Sequence, residues 1–246
     1  MVKNLVIIPT YNEKENVARI VKMVFSLEKP FHVLIVDDGS PDGTAQIVKD
    51  LQKEFPDSLF LMERQGKLGL GTAYIAGFKW GLQRAYDYFF EMDADFSHNP
   101  KDLMRMLTAC QDQNADVVVG SRYVKGGKLK NWPFDRIMLS YGASLYVRFI
   151  TWMPVKDPTA GFICYRRRVL ETIDLDKIRF VGYAFQIEMK YAAKLLDFKI
   201  VEIPITFSDR IEGSSKMSKS IVREAIWGVL QMRWRSFFFS YAVELQ

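Results

Sequence analysis

Cysteine and histidine are scarce in this sequence, with two residues of each type among 246. Cys110 and Cys164 lie far apart, and neither is spaced with His32 or His98 as structural zinc sites require. This pattern argues against a zinc site and against a framework of disulfides.

Long uncharged apolar runs are also missing. A membrane-spanning helix needs roughly 18 or more consecutive apolar residues, and the apolar C-terminal part is interrupted by Arg223, Glu224, Arg233 and Arg235. The apolar run near the N-terminus is too short for a signal peptide. We therefore expect no spanning helix, and a protein that stays in the reducing cytoplasm.

Apolar residues are plentiful, at 49%, and the net charge is +5. This length and apolar content suffice for one large core, so we expect one main domain over residues 1–220, followed by an amphipathic, apolar helix over 221–246. A positive charge favours anionic partners, but nucleotides, lipid phosphates, membranes and nucleic acid all qualify. Charge alone does not choose between them.

Short β-branched runs alternate with helical patterns in the first half of the chain. Further on, a loop rich in Gly and Lys precedes an apolar stretch that contains arginine. We predict strands at 5–9, 33–37, 59–63, 88–93, 116–120, 162–165 and 200–205, and helices at 13–27, 43–55, 71–85, 137–153, 184–196 and from 221 onward. This alternation predicts an α/β fold with a mostly parallel, twisted sheet flanked by helices.

Two carboxylates follow the fourth predicted strand. Asp93 and Asp95 come directly after an apolar segment and are separated by one residue. Such a pair can hold Mg²⁺ or Mn²⁺, which prefers oxygen ligands and keeps waters and substrate phosphates around it. A diphosphate neutralised in this way is a good leaving group. The alternative is a pair of solvated aspartates that cap the next helix.

Polar segments also follow the first two predicted strands. Residues 9–13 read Pro-Thr-Tyr-Asn-Glu, and residues 37–40 read Asp-Asp-Gly-Ser. Carboxylates at the carboxyl ends of strands can accept hydrogen bonds from a nucleotide's base or ribose, and Tyr11 offers a ring for stacking. Alternatively, Asn12 caps the first helix and the second segment is an ordinary turn. The convergence of three such strand ends favours a nucleotide site.

Three further features allow two interpretations each. Gly69 and Gly71 could present amides to a phosphate, but the rest of a phosphate-binding fingerprint is missing, which favours a tight start of a helix. Glu188 could be a catalytic base, but we favour a solvated helix face over residues 186–190. The arginines at 166–168 could touch lipid headgroups or coat the start of a helix, and such runs are usually solvated.

The ordered set of motifs resembles family 2 glycosyltransferases, through residues 9–13, 37–40, 93–95 and Gly-Ser-Arg-Tyr at 120–123. The similarity is closer still to dolichyl-phosphate (polyprenyl-phosphate) mannosyltransferases. It rests on Gly-Gly-Lys at 126–128, Asn-Trp-Pro-Phe at 131–134, Asp-Pro-Thr-Ala-Gly-Phe at 157–162 and Arg-Ile-Glu-Gly-Ser-Ser-Lys at 210–216.

The resemblance implies a nucleotide-diphospho-sugar transferase (GT-A type) fold that uses GDP-mannose as donor and a polyprenyl or dolichyl phosphate as acceptor. It also implies roles for matching positions. Guanosine would be held by Pro9, Tyr11, Glu13, Val36 and Asp38. The ribose, the metal and the diphosphate would be held by Asp93, Ala94 and Asp95. Phosphate groups would be held by Arg122, Arg210 and Lys216. Asp95 and Arg122 are then the catalytic candidates.

The metal site departs from the family's pattern at one position. Similar enzymes often carry Gln two residues after the second aspartate, as a metal ligand, and this chain has Ser97 there. Ser97, water or His98 would then complete the coordination of Mg²⁺ or Mn²⁺.

The implied reaction is one inverting displacement at the anomeric carbon, with an acceptor phosphate oxygen as nucleophile. A monoalkyl phosphate is mostly deprotonated at neutral pH, so no dedicated base is required. The alternatives are a transferase for another hexose, for example with UDP-glucose as donor, and a non-catalytic nucleotide-binding relative. A nucleic-acid-binding module is disfavoured because the basic residues are scattered.

Two segments, 137–153 and 221–243, mix aromatic and aliphatic side chains with arginines, as interfacial helices do, although buried packing helices share this pattern. For residues 234–239 we favour membrane contact. We therefore expect peripheral attachment to the cytoplasmic face of a membrane, directly or through an anchoring subunit.

Overall fold

A seven-stranded sheet organises the chain, and the computed structural model describes residues 2–209 and 219–244. The strands are β1 (Asn4–Thr10), β2 (His32–Asp37), β3 (Leu59–Glu63), β4 (Tyr88–Glu91), β5 (Val117–Ser121), β6 (Lys128–Lys130), β7 (Ile163–Arg166), β8 (Ile200–Pro204) and β9 (Thr206–Ser208). The sheet has the order β3-β2-β1-β4-β7-β5-β8, and β6 pairs with β9 alone. Strand β7 is antiparallel to β4 and β5, while the other pairs of the sheet are parallel. The mostly parallel α/β sheet predicted from the sequence is confirmed.

Helices cover both faces of this sheet. They are α1 (Val17–Phe25), α2 (Thr44–Gln52), α3 (Leu70–Leu82), α4 (Asp102–Asp112), α5 (Phe134–Thr151), α6 (Arg167–Thr172), α7 (Tyr183–Leu195) and α8 (Lys219–Arg235), with a 3-10 helix at Leu175–Lys177. The first helix begins later than predicted, because the carbonyl of Glu13 closes a turn with the amides of Asn16 and Val17. Asn16 is the N-cap of α1, so the alternative in which Asn12 caps this helix is wrong.

Alternation along the strands divides the core into two layers. In β1, Leu5 and Ile7 belong to the layer beneath α3 and α7, whereas Val6 and Ile8 belong to the layer beneath α1 and α4. A parallel sheet that is covered on both faces needs apolar side chains on both, which explains the continuous apolar runs of the strands.

Strand β4 ends two residues earlier than the sequence predicted, at Glu91. Asp93 and Asp95 consequently lie in the loop beyond the strand. The segment predicted as a loop around 125–133 contains the short strand β6, whose pairing with β9 was not predicted.

The C-terminal part packs onto the rest of the chain. Val229 and Met232 of α8 are buried in the core layer that includes α7, and Tyr241 is buried beyond the helix. Ala242 forms a bridge with Ile173. Within the described ranges, no helix combines the length and the apolar character that crossing a membrane requires.

Glycines on α3 allow this helix to lie directly on the sheet. A Cβ at Gly77 would stand 2.7 Å from Cγ2 of Ile7, and a Cβ at Gly81 would stand 2.7 Å from Cδ2 of Leu5. The ring of Phe89 is closer still to Gly81. The short distance between α3 and β1 therefore depends on the absence of side chains at Gly77 and Gly81.

We expect Gly81→Ala to lower the free energy of unfolding by about 1–3 kcal/mol, because overpacking forces neighbours to shift. Gly142→Ala in α5 is the matched control, since a Cβ there would meet nothing within 4 Å. That substitution should be neutral or stabilise by up to roughly 1 kcal/mol. Urea denaturation measures the free energy of unfolding of both variants. Equal changes in the two variants would contradict the close approach of α3 to the sheet.

Candidate active site

A cavity of about 520 Å³ opens at the edge of the sheet where β4 and β5 end. Its walls come from the loops after these two strands, from the segment before β7, and from α5, α7 and α8. Asp93, Asp95, Ser97 and Arg122 all line it. The structure thus brings together the candidates that follow β4 and β5.

The two aspartates differ in their surroundings. Asp95 is 5% exposed, and its Oδ1 accepts the amide of Ser97 at 3.0 Å. The side chain of Asp93 is 32% exposed, and its Oδ1 accepts the hydroxyl of Tyr74 at 3.4 Å. Burial, and then the charges of Asp93 and Glu91, raise the pKa of Tyr74 well above its usual value, so this hydroxyl stays protonated and donates.

This loop also suits a divalent cation. The hydroxyl oxygen of Ser97 is buried and has no hydrogen-bond partner within residues 2–209 and 219–244, which is unfavourable unless a ligand engages it. Together with Asp93 and Asp95 it forms a set of hard oxygen donors of the kind that Mg²⁺ and Mn²⁺ prefer. In the ranges 2–209 and 219–244, no three His, Cys, Asp or Glu side chains cluster as metal ligands. Water and a diphosphate would therefore complete the coordination.

His98 is buried and contacts the loop that carries Asp93 and Asp95. Its ring stacks on Phe162 with centroids 4.8 Å apart and planes inclined by 15°. Its Nδ1 accepts the amide of Asp93 at 3.3 Å, which assigns the imidazole proton to Nε2. Burial lowers the pKa of His98 to about 4, so the ring is neutral at physiological pH. Because Nδ1 is occupied by this amide, it is not available as a metal ligand.

Arg122, which also lines the cavity, is fixed by the buried carboxylate of Asp157. Its amide, Nε and Nη2 donate to the Asp157 carboxylate at 2.9, 2.7 and 2.6 Å. Nη2 also donates to Oγ1 of Thr159 at 2.7 Å. Rings of Trp132 and Phe207 lie 5.8 and 5.4 Å from the guanidinium carbon. The guanidinium is therefore held in one orientation.

Electrostatics explains why Asp157 stays ionised although it is fully buried. Burial alone would raise the pKa of Asp157, but the charge of Arg122 and its hydrogen bonds outweigh burial and hold this pKa below the usual value. The two residues therefore form an ion pair.

The predicted nucleotide residues lie on the neighbouring strand ends. Pro9 pairs with Val36 across β1 and β2, and Tyr11 follows β1 with 39% exposure. The ammonium of Lys67 lies 4.8 Å from the centroid of the Tyr11 ring. The amide of Glu13 donates to Oγ1 of Thr44 at 3.0 Å, which ties the two loops together.

Two of these residues have little free surface. The Val36 side chain is fully buried in the core, so only its backbone could contact a nucleotide. Asp38 is 6% exposed, and its carboxylate accepts Nε of Arg64 at 2.7 Å and the amide of Leu68 at 3.2 Å. Arg64, which sequence reasoning missed, therefore neutralises the charge of Asp38.

Ala94 is buried beside the two aspartates. Arg210 and Lys216 lie outside the described residues. Sequence reasoning also missed Arg136, which lines the cavity from the first turn of α5. It pairs with Asp209 at 2.9 Å and stacks on Trp132 with 3.9 Å to the ring centroid. Arg136 follows Trp132-Pro133 and directly precedes the apolar part of α5, and this position could have indicated a site residue.

The solvated face predicted for residues 186–190 is wrong. Glu188 is fully buried and accepts the amides of Arg179 and Phe180 at 2.8 and 3.0 Å and the hydroxyl of Tyr241 at 3.0 Å. It does not line the cavity. These bonds make Glu188 a structural residue that connects α7 to two other segments.

Gln186 and Lys190 are buried as well, and Lys190 Nζ donates to the carbonyl of Ala160 at 2.7 Å. Burial lowers the pKa of Lys190 and raises the pKa of Glu91, which lies nearby. A buried polar cluster that the sequence did not reveal therefore lies behind the cavity.

The arginine run at 166–168 is partly solvated, because Arg168 is exposed while Arg166 and Arg167 are half-buried. Arg166 Nε donates to the carbonyl of Ala115 at 2.6 Å, and Arg167 donates to the carbonyls of the segment after α3. Arg168 Nε donates to Asp116 at 2.6 Å. These bonds join the end of β7 and the start of α6 to the segments that precede β4 and β5.

The glycines before α3 act as the predicted tight start of a helix. Gly69 has a φ of 99°, and the amide of Gly71 donates to the carbonyl of Val181 at 2.8 Å. That amide is therefore not free for a phosphate.

We expect Asp157→Asn to destabilise the protein by about 3–5 kcal/mol, because it leaves the buried Arg122 without its counter-charge. The exposed Asp112→Asn is the control and should stay within about 0.5 kcal/mol of wild type. The Asp157 pKa is depressed in the folded state, so its stabilisation is present above about pH 4 and is lost as pH falls through the native pKa. Urea denaturation across this range should show the difference from wild type narrowing in acid. A constant difference would contradict the ion pair.

Comparison with known proteins completes the description of the site. The chain is 49% identical over 229 residues to the polyprenol monophosphomannose synthase of Mycolicibacterium smegmatis, covering 93% of this chain and 86% of that protein. It is 47% identical over 235 residues to the undecaprenyl-phosphate mannosyltransferase of Micrococcus luteus, covering 94% and 95%.

Among solved structures, a mannosyltransferase from Pyrobaculum calidifontis in complex with GDP-Man and Mn²⁺ matches with a TM-score of 0.62 at 17% identity. The match covers 98% of this chain and 66% of that one and concerns the fold. The expected nucleotide-diphospho-sugar transferase (GT-A type) fold is confirmed. The model of glycosyl transferase family 2 matches residues 5–174. This chain is therefore a glycosyltransferase and belongs to family 2.

Proposed function

We propose that this enzyme transfers mannose, with inversion, from GDP-mannose to a polyprenyl (dolichyl) phosphate. One observation carries the proposal: a single cavity joins an acidic loop, a fixed arginine and an apolar wall. These features match the three parts of the reaction, which are a metal-bound diphosphate, an acceptor phosphate and an isoprenoid chain. The names of the two relatives that are nearly half identical support the same donor sugar and acceptor class.

The acidic loop supports the leaving-group side. Asp93, Asp95 and Ser97 would hold Mg²⁺ or Mn²⁺, which neutralises the diphosphate when bound. Pro9, Tyr11, Glu13, Val36 and Asp38 lie at adjacent strand ends and are proposed to hold guanosine. The Pyrobaculum mannosyltransferase, which has the same fold, is in complex with GDP-Man. Arg210 and Lys216 remain proposed phosphate contacts.

The arginine side supports an anionic acceptor. Arg122 is immobilised by Asp157, and Arg136 lies on the same cavity wall. Two cations would hold the acceptor phosphate and stabilise charge during the displacement. The acceptor oxygen is already deprotonated at neutral pH, so the chemistry needs no base. The burial of Glu188 away from the cavity agrees with that requirement.

The apolar wall supports a lipid acceptor. Met138, Leu139 and Val147 of α5 line the cavity, together with Ile226 of α8. An isoprenoid chain has no polar groups, so it would lose little by leaving water for such a surface.

Exposed aromatic residues extend from the same two helices. Phe149, Trp152, Trp234 and Phe238 are 77%, 72%, 68% and 76% exposed. Arg233 stacks on Trp152 at 4.8 Å, which places the end of α8 beside the end of α5. We propose that this aromatic surface rests on the cytoplasmic face of a membrane, with residues 221–246 as the interfacial segment attached to the domain over 1–220.

We expect labelled mannose to pass from GDP-mannose to polyprenyl phosphate when Mg²⁺ or Mn²⁺ is present. Asp95→Asn should lower turnover by on the order of 100-fold or more, because it removes a charged metal ligand. The exposed Asp112→Asn is its control. If transfer occurs from UDP-glucose but not from GDP-mannose, the proposed displacement still holds, and the transferred sugar is glucose instead of mannose. Nucleotide binding without product would favour the non-catalytic alternative.

Membrane attachment has a separate test, flotation with vesicles that contain anionic lipid. Replacing Trp234 and Phe238 together by serine should weaken binding by on the order of tenfold or more, because each ring buries large apolar area in the interface. Val2→Ser removes an exposed apolar side chain elsewhere and should have no effect. If wild type floats only with a second protein, an anchoring subunit replaces direct attachment.

A further inference from the structure

Gln186 occupies an unusual position in the cavity. It lies in the first turn of α7, is 3% exposed, and lines the cavity together with Asp93, Asp95 and Gly161. Neither its Oε1 nor its Nε2 has a hydrogen-bond partner among the described residues. A buried carboxamide without partners is unfavourable, so this side chain points to a ligand that supplies them.

Gly161 and Glu91 lie beside the Gln186 amide. A Cβ added at Gly161, which also lines the cavity, would stand 3.6 Å from Nε2 of Gln186. Burial raises the pKa of the neighbouring Glu91 to about 8, and the charge of Lys190 and the nearby Gln186 amide limit this rise, although Gln186 does not reach hydrogen-bond geometry with Glu91. Within the described residues, both amide atoms are therefore left without a hydrogen bond.

The location selects the ligand. Gln186 lines the same cavity as the acidic loop that would hold the diphosphate and as Thr159, which holds Arg122. In an in-line displacement the transferred sugar lies between the leaving and the attacking groups. A carboxamide is both donor and acceptor, as is a sugar hydroxyl, and it carries no charge that would compete with the aspartates for a cation.

We propose that the Gln186 carboxamide hydrogen-bonds a hydroxyl group of the transferred hexose and thereby contributes to selection of the sugar. The inference rests on the proposed function and deepens it. A site that is built to pair with a hydroxyl discriminates strongly against a sugar that lacks it, because the amide is then left unpaired in a buried place.

Gln186→Met tests the proposal, since methionine has nearly the same length and no hydrogen-bonding amide. Gln83→Met, at an exposed position after α3, is the matched control. Calorimetry with Mn²⁺ compares the affinities for GDP and for GDP-mannose. We expect Gln186→Met to weaken GDP-mannose about tenfold, the loss of one hydrogen bond, and to leave GDP unchanged. The control should change neither.

A series of GDP-deoxymannose donors then identifies the contact. We expect one deoxy donor to be used equally by wild type and Gln186→Met, because the contact is already missing, while the other donors keep the roughly tenfold difference in kcat/KM. If every donor shows the same difference, the residue acts on structure or on a buried water, and the proposal fails. It also fails if GDP is weakened as much as GDP-mannose.

The two hypotheses remain distinguishable. Wild type that transfers no mannose overturns the proposed function, whereas the calorimetric comparison still decides the role of Gln186 because it needs binding alone. Wild type that transfers mannose, with a Gln186→Met variant that matches it in both measurements, overturns only this inference.

Discussion

The ion pair between Arg122 and Asp157 is the interaction on which the rest of the site depends. Asp157 is itself held by its amide, which donates to Glu202 at 3.0 Å, and the carbonyl of Ala160 accepts Lys190. Strand β8 and helix α7 therefore fix the segment that fixes Arg122. A long, flexible cation becomes a rigid one, and rigidity is what electrostatic stabilisation of a displacement requires.

The reversed strand β7 makes this arrangement possible. Because β7 runs antiparallel between β4 and β5, its amino end lies at the same sheet edge as their carboxyl ends. The segment 157–162 is thereby delivered to the cavity alongside Asp93 and Arg122. In an all-parallel sheet the same residues would lie at the opposite edge, and Arg122 would lack its partner.

Much of this was predictable from local pattern. Strands such as β2 and β3 were predicted within a residue, because apolar β-branched runs between polar turns leave few alternatives. The carboxylates beyond β4 were also predictable, since the ends of parallel strands collect ligand-binding groups. The motif order then indicated the family.

The buried polar residues of α7 were not predictable in the same way. Gln186 and Glu188 lie about 200° apart around a helix, so a single solvated face cannot hold both. That geometry signals burial of at least one, but their partners are distant in sequence: Tyr241 for Glu188 and Ala160 for Lys190. Strands β6 and β9 are equally non-local, and three residues carry too little pattern to reveal a pairing across the chain.

Helix α5 has a dual character, because it contributes one wall of the cavity and also part of the aromatic surface. On the proposed function, an acceptor reaches the arginines with its tail still in the lipid, and no extraction step precedes catalysis. The encounter then takes place in two dimensions. The rate should follow the mole fraction of acceptor within the bilayer rather than its amount per volume, so diluting the acceptor with inert lipid slows the enzyme even when total acceptor is constant.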